Sequence, residues 1–190
     1  MSDIILTEEK VFDLVYKNVG KIANSNALMQ SFSGVVGGPA TLAVDALAIF
    51  THYEPMINEI RALYGRDPLS TKDFLPVVSS MLKEIVVDLA VDKVIGSVPV
   101  AGIYFNAVSA KALTWRLGMI IAIVSARGSE INRSSFSDVV KLVRNLTPQS
   151  DMFKFTKPDY ETFKKITLSV NGDSLDAFSD KVQTALQAFE

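Results

Sequence analysis

The 190-residue chain is 48% hydrophobic, carries 19 basic and 21 acidic residues for a net charge of −2, and contains no cysteine and one histidine. Its apolar content and mean hydropathy of +0.25 exclude general disorder, and the balanced charge excludes the broad basic surface that nucleic acid requires. Disulfides, iron–sulfur clusters and thiol catalysis are excluded, and the lone His52 leaves no ordinary zinc site.

This length predicts one domain, or one domain with an extension. The start, MSDIILTEEKVFDLV, has early acidic residues and no long apolar run, unlike a secretory signal. The chain is therefore expected in the cytoplasm. Thr7 is a candidate N-cap, with Glu8 and Glu9 in the first turn of a helix. Val11, Leu14, Val15, Asn18, Val19 and Ile22 continue at helical spacing, and the helix is expected to fray at Asn24-Ser25-Asn26.

Gly34-Val35-Val36-Gly37-Gly38-Pro39 is an apolar connector. Its glycines before a helix suggest an anion site, but no phosphate-loop lysine follows, and tight turning is the plainer reading. A second helix is predicted from Ala40 to Tyr64, stopped by Gly65 and kinked by Pro55 near Thr51 to Pro55. A third opens at Ser70-Thr71 and continues to about Ile95. Its Glu84, Asp88 and Asp92 form a solvated polar stripe opposite Leu82, Ile85, Val86 and Leu89.

Val94 to Ala110, VIGSVPVAGIYFNAVSA, contains no charged residue. Gly96, Pro99 and Gly102 predict a turn, with a fourth helix from about Ile103 to Ala126. Turns are normally polar and exposed, so this one must be covered by protein, lipid or a partner. The run is near the lower limit for crossing a bilayer, about 17 residues, and its breaks favour a re-entrant or peripheral hairpin. Val98, Pro99, Val100, Ile103, Tyr104 and Phe105 are the candidate membrane or ligand contacts.

Beyond Gly128 the chain becomes more polar and amphipathic. Helices are predicted over Ser134 to Leu146 and Asp159 to Leu168, separated by a loop at 148 to 158 that holds Met152, Phe153 and Phe155. Asn171-Gly172 turns the chain, and Asp173 or Ser174 caps a last helix with the stripe Leu175, Phe178, Val182, Leu186 and Phe189. No strand-period alternation occurs. The expectation is an all-α helical bundle: a hydrophobic core at 1–128 with a central apolar hairpin, and an amphipathic helical extension at 129–190 packed on it.

Few residues suggest chemistry. His52 and Glu54 beside Pro55 could line a pocket at the kink, although no nucleophile accompanies them. Asp45, Lys111 and Arg116 are charges within very apolar helices. Such charges are paired or reach an interface, so Asp45 is expected to pair with Lys111 or Arg116, the alternative being an anion contact at Arg116. No catalytic, metal or cofactor signature is present, and the chain reads as non-enzymatic.

The segments GGPATLAVDALAIFTHYEPMINEIRALYG (37 to 65) and VPVAGIYFNAVSAKALTWRLG (98 to 118), with the long helix between them, resemble the YcjF-type helical domain and the related EcsC-type proteins. The resemblance covers roughly residues 34 to 127. It implies a bacterial protein associated with the membrane or with a GTPase system, and it supplies no catalytic residues. The chain has no GxxxxGK[ST] loop of its own, so a nucleotide-linked role would come from a partner. The functional expectation is a non-enzymatic protein, peripheral to the inner membrane, that meets membrane or an apolar ligand through its Gly/Pro hairpin. The alternative is a soluble interaction module with the hairpin buried in its own core or in a homo-oligomer.

Overall fold

The computed structural model describes residues 6–33, 46–70, 72, 99–128, 130, 133–148 and 154–188. Among these residues every regular element is a helix, and the protein is an all-α bundle. The helices are α1 (Glu8–Ser33), α2 (Ala46–Leu63), α3 (Pro99–Arg127), α4 (Arg133–Leu146), α5 (Tyr160–Ser169) and α6 (Leu175–Gln187). The connector at 34–39, Asp45, the apolar turn through Val98 and the Glu84, Asp88, Asp92 stripe lie outside the described residues, as do the side chains of Pro99 to Asn106.

The bundle is organised around α3. From Trp115 to Arg127 every residue of this helix is buried, because α1, α2, α4 and α5 all pack against it. A helix that is apolar nearly all round can be stable only when so enclosed or in lipid. The most extensive packing is against α1, which runs antiparallel to α3: Asn26 meets Thr114 near one end, and Val19 meets Gly118 further along. Phe12, Val15 and Val19 on α1, and Ile57 and Ile60 on α2, are buried in the same apolar cluster as Phe136, Val139, Val143, Phe163, Phe178 and Val182 from the later helices.

Two expectations of helix limits are corrected. The polar run Asn24-Ser25-Asn26 does not fray α1, which continues to Ser33. Ala23 and Ala27 are buried against the bundle, and the Asn26 amide donates to Thr114, so tertiary contacts outweigh weak local propensity. The expected turn is also shorter than Gly96 to Gly102, because α3 already begins at Pro99. Proline in the first helical position removes no intrahelical hydrogen bond, and its fixed φ suits the helix. Val100, Ala101 and Gly102 are therefore helical.

Other limits follow their local signals. Pro55 lies inside α2, which continues through it to Leu63. Gly65, at φ 65°, ends that helix: its N–H donates to Ala62 O and the Arg66 N–H donates to Arg61 O. Asp159 caps α5 by accepting from the Thr162 N–H at 2.8 Å, and Ser174 caps α6 by accepting from Ala177. Between α5 and α6, Gly172 turns with φ 67° and donates to Ala126 O at the end of α3.

Candidate functional site

The polar and aromatic groups of the bundle collect in three places along α3. Near its middle, α1, α2 and α3 meet in a buried triad. Thr114 Oγ1 donates to Ala110 O at 2.7 Å. Its hydrogen is thereby used, so it accepts at 3.1 Å from both the Asn26 amide and the Tyr53 hydroxyl. Burial pushes the Tyr53 phenol above its ordinary value, while the bonds to Thr114 and Asn26 oppose that shift. This small polar group lies within one turn of the half-buried stretch Ala107 to Lys111. From Pro99 to Ala110, α3 carries no charge.

The opposite end of α3 is crowded with arginine. Arg66 donates through Nε to Ser125 O at 2.9 Å and through Nη2 to Ala126 O at 3.2 Å. Arg61 Nε donates to Asp67 O at 2.7 Å, and Arg127 donates to Glu130 O. Burial pushes the Arg61 guanidinium below its ordinary value, Arg66 adds to this, and Asp67 opposes it. Burial likewise lowers Arg127, against the attraction of Glu130 and with the repulsion of Arg66. Cations at a helix C-terminus complement its dipole and exposed carbonyls, so Arg66 holds the turn after α2 against the C-terminal end of α3. Tyr64 stands beside it. Its phenol is pushed far up by burial and then by Glu8.

The third place is where the segment 154–159 crosses α1 and α3. Lys157 sets its ammonium over two rings, 4.3 Å from the Tyr16 centroid and 5.3 Å from that of Trp115. The Tyr16 hydroxyl donates to Pro158 O, and the Tyr160 hydroxyl donates to Asp13. The Tyr16 phenol is pushed up to about 12, first by burial and then by Asp159 and Tyr160.

The expected pairing of Asp45 falls outside the described residues, and its two expected partners are engaged elsewhere. Arg116 is 1% exposed. It donates through Nε to Thr147 Oγ1 at 3.3 Å and through Nη2 to Thr147 O at 2.9 Å, tying α3 to the end of α4. Lys111 lies 6.0 Å from the Phe155 centroid. His52 and Pro55 are exposed and Glu54 is half-buried, whereas the buried face of α2 carries Tyr53, Met56, Ile57 and Ile60. His52 packs edge-on against Tyr53, with centroids 4.8 Å apart. Of the expected contact residues, Pro99, Val100, Ile103, Tyr104 and Phe105 all lie on the first two turns of α3, while Val98 is outside the described residues.

The sequence alone does not reveal the Thr114 triad or the contact of Lys157 with Tyr16 and Trp115. The triad joins residues from three helices, and its polar members are too ordinary to stand out. Phe155 in the same segment belongs to a loop with Met152 and Phe153, but nothing local marks the lysine two residues later. Among the described residues, no group of three or more His, Asp or Glu side chains is arranged to hold a metal ion. Compared with protein-family models, curated proteins and solved structures, the chain has no match.

Proposed function

We propose that the protein is a non-catalytic helical scaffold that presents the first half of α3 to an apolar phase, the membrane interface. The observation that carries this reading is the change of environment along one helix. The second half of α3 is wholly buried, Ala107 to Lys111 are half-buried, and the charge-free turns from Pro99 precede them. An uncharged helix start of this kind is suited to shallow insertion rather than to catalysis. Val98, Pro99, Val100, Ile103, Tyr104 and Phe105 would supply the contact. A cytoplasmic location at the inner membrane, and work alongside a GTPase as in the YcjF-type resemblance, belong to this reading.

A second reading is a soluble interaction module in which this end of α3 is covered by the protein itself or by a second copy. It is favoured by α3 being a core helix. Ala107–Arg127 is long and apolar enough to cross a membrane, yet 67% of its apolar window is buried within the bundle. Spanning by this segment would require α1 and α4 to leave it.

Flotation with vesicles, paired with light scattering in detergent-free buffer, tests the two. Flotation with the vesicles supports the membrane reading. A monodisperse protein that stays with the aqueous phase at low salt, with anionic lipid present, contradicts it and supports the second.

A further inference from the structure

Tyr16 and Trp115 form two walls of a box whose occupant is the chain's own Lys157. The two ring centroids are 4.6 Å apart and their planes are inclined by 58°. Tyr160 stands edge-on to Tyr16 at 5.1 Å, and Phe12 supports Tyr160 at 5.6 Å. Each wall is held independently of the lysine. Gly20 leaves room for the indole, since a Cβ at that position would lie 3.2 Å from Trp115 Cζ2. The Tyr16 hydroxyl is tied to Pro158 O, and that of Tyr160 to Asp13. The box is thus preorganised by α1, α3 and the entry to α5.

Its occupant is held more loosely than its walls. Tyr16 and Trp115 are 8% and 3% exposed, whereas Lys157 is exposed. A lysine ammonium is compact and strongly hydrated, and its stem is flexible. Ring faces hold a quaternary ammonium better, because its charge is spread over methyl groups that also bury apolar area. Asp159 acts on Tyr16 from the rim and Asp13 sits at Tyr160, so the surroundings favour a cation. Two other cations stand near the rim and oppose this. Lys164 is 5.7 Å from the Tyr160 centroid but is paired with Glu9 at 3.5 Å, and Lys111 lies over Phe155.

We propose that the Tyr16–Trp115 box binds N-methylated ammonium groups, with Lys157 as a built-in competitor that swings out to admit them. A tethered competitor acts at an effective concentration on the order of millimolar, so the wild-type protein binds such cations weakly and a protein without Lys157 binds them well. The ligand chemistry is the same whether the group belongs to a free choline-type cation or to a phosphatidylcholine surface. The inference does not rest on the membrane reading of α3.

Trp115 is the chain's single tryptophan, so its emission reports on the box directly. Lys157→Ala and the wild type are titrated with tetramethylammonium chloride and with phosphocholine, against matched sodium chloride and against the uncharged carbon isostere of choline. The expected result is a saturable emission change with both quaternary ammonium compounds, at about two- to fivefold lower concentration in Lys157→Ala than in the wild type, and none with the isostere. No saturable response in a variant of native helix content, or an equal response to the isostere, overturns the proposal. If Lys157→Ala loses its helical signal, the wild-type titration decides: saturation by tetramethylammonium at high millimolar concentration supports the site, and a flat response overturns it. Phosphatidylcholine and phosphatidylglycerol vesicles separate the sources. A response to phosphocholine but not to phosphatidylcholine vesicles assigns a soluble ligand. A response to phosphatidylcholine but not phosphatidylglycerol vesicles assigns a lipid headgroup, and a response to neither phosphocholine nor phosphatidylcholine overturns the proposal.

Discussion

Val19 packs directly over Gly118, so that α1 and α3 lie close together there. A Cβ placed on Gly118 would lie 2.6 Å from Val19 Cγ2 and 2.7 Å from its Cγ1, far inside van der Waals contact, and Val19 is completely buried. Gly118→Ala should therefore destabilise the bundle by about 1–3 kcal/mol through overpacking. Thermal melts check this, and adding Val19→Ala should return part of the loss. Equal melts for Gly118→Ala and the wild type would show that the helices do not approach so closely.

The buried Thr114 hydroxyl accepts from two donors and gives its hydrogen to a third group. Thr114→Val keeps the shape but strands the Asn26 amide and the Tyr53 hydroxyl. The expected loss is about 1–3 kcal/mol for each donor left without a partner. In a Tyr53→Phe background the same substitution should cost measurably less, and urea titration of the four proteins in the cycle reads the difference. Strict additivity would mean that Tyr53 and Thr114 are not bonded.

Arg116 and Thr147 join α3 to the C-terminal end of α4 through two hydrogen bonds from one planar guanidinium. Lysine cannot reproduce that fork. Arg116→Lys should cost roughly 1–3 kcal/mol, and amide exchange should quicken first in Val143 to Thr147. Unchanged protection there would exclude the tie.

These three relationships show where the sequence was informative. The amphipathic α4, the stripe of α6, the start of a helix at Asp159, a cap at Asp173 or Ser174 and the stop at Gly65 are legible, because each depends on residues a few positions apart. The tail of α1 was not. Asn24-Ser25-Asn26 looks like an end until Asn26 finds Thr114 on another helix. Pro99 reads equally as a turn residue or as the first residue of a helix, and the structure takes the second option. The Lys157 box joins α1, α3 and the segment before α5, which no local pattern connects. Arg116 stands out in the sequence as a charge within an apolar helix, but it bonds to Thr147, an ordinary polar residue at a helix end.

Alkaline pH should unfold the protein in a defined window. Tyr16 ionises near 10.0 in the unfolded chain and at about 12 in the fold, chiefly because it is buried. Tyr53, Tyr64 and Tyr160 shift upward as well. The unfolded state therefore loses protons first. The stability these groups contribute is whole below pH 10 and is lost as pH rises from 10 to about 12. Tyrosinate absorbance and helical circular dichroism should change together across that range. Smooth ionisation near pH 10 in a protein that keeps its helix content would contradict the burial of Tyr16, Tyr53 and Tyr64.

The contact proposed for the first half of α3 is tested most directly by placing charge there and reading association and folding on the same sample. In the double variant Val100→Asp, Ile103→Asp, each charge carried into an apolar phase costs about 2.5–3.5 kcal/mol at full depth, whereas an exposed helix end tolerates it in water. The account predicts that the variant melts at the wild-type temperature and no longer floats with vesicles. A variant that floats as well as the wild type, or one whose melting temperature collapses because these residues are packed in the core, would contradict it.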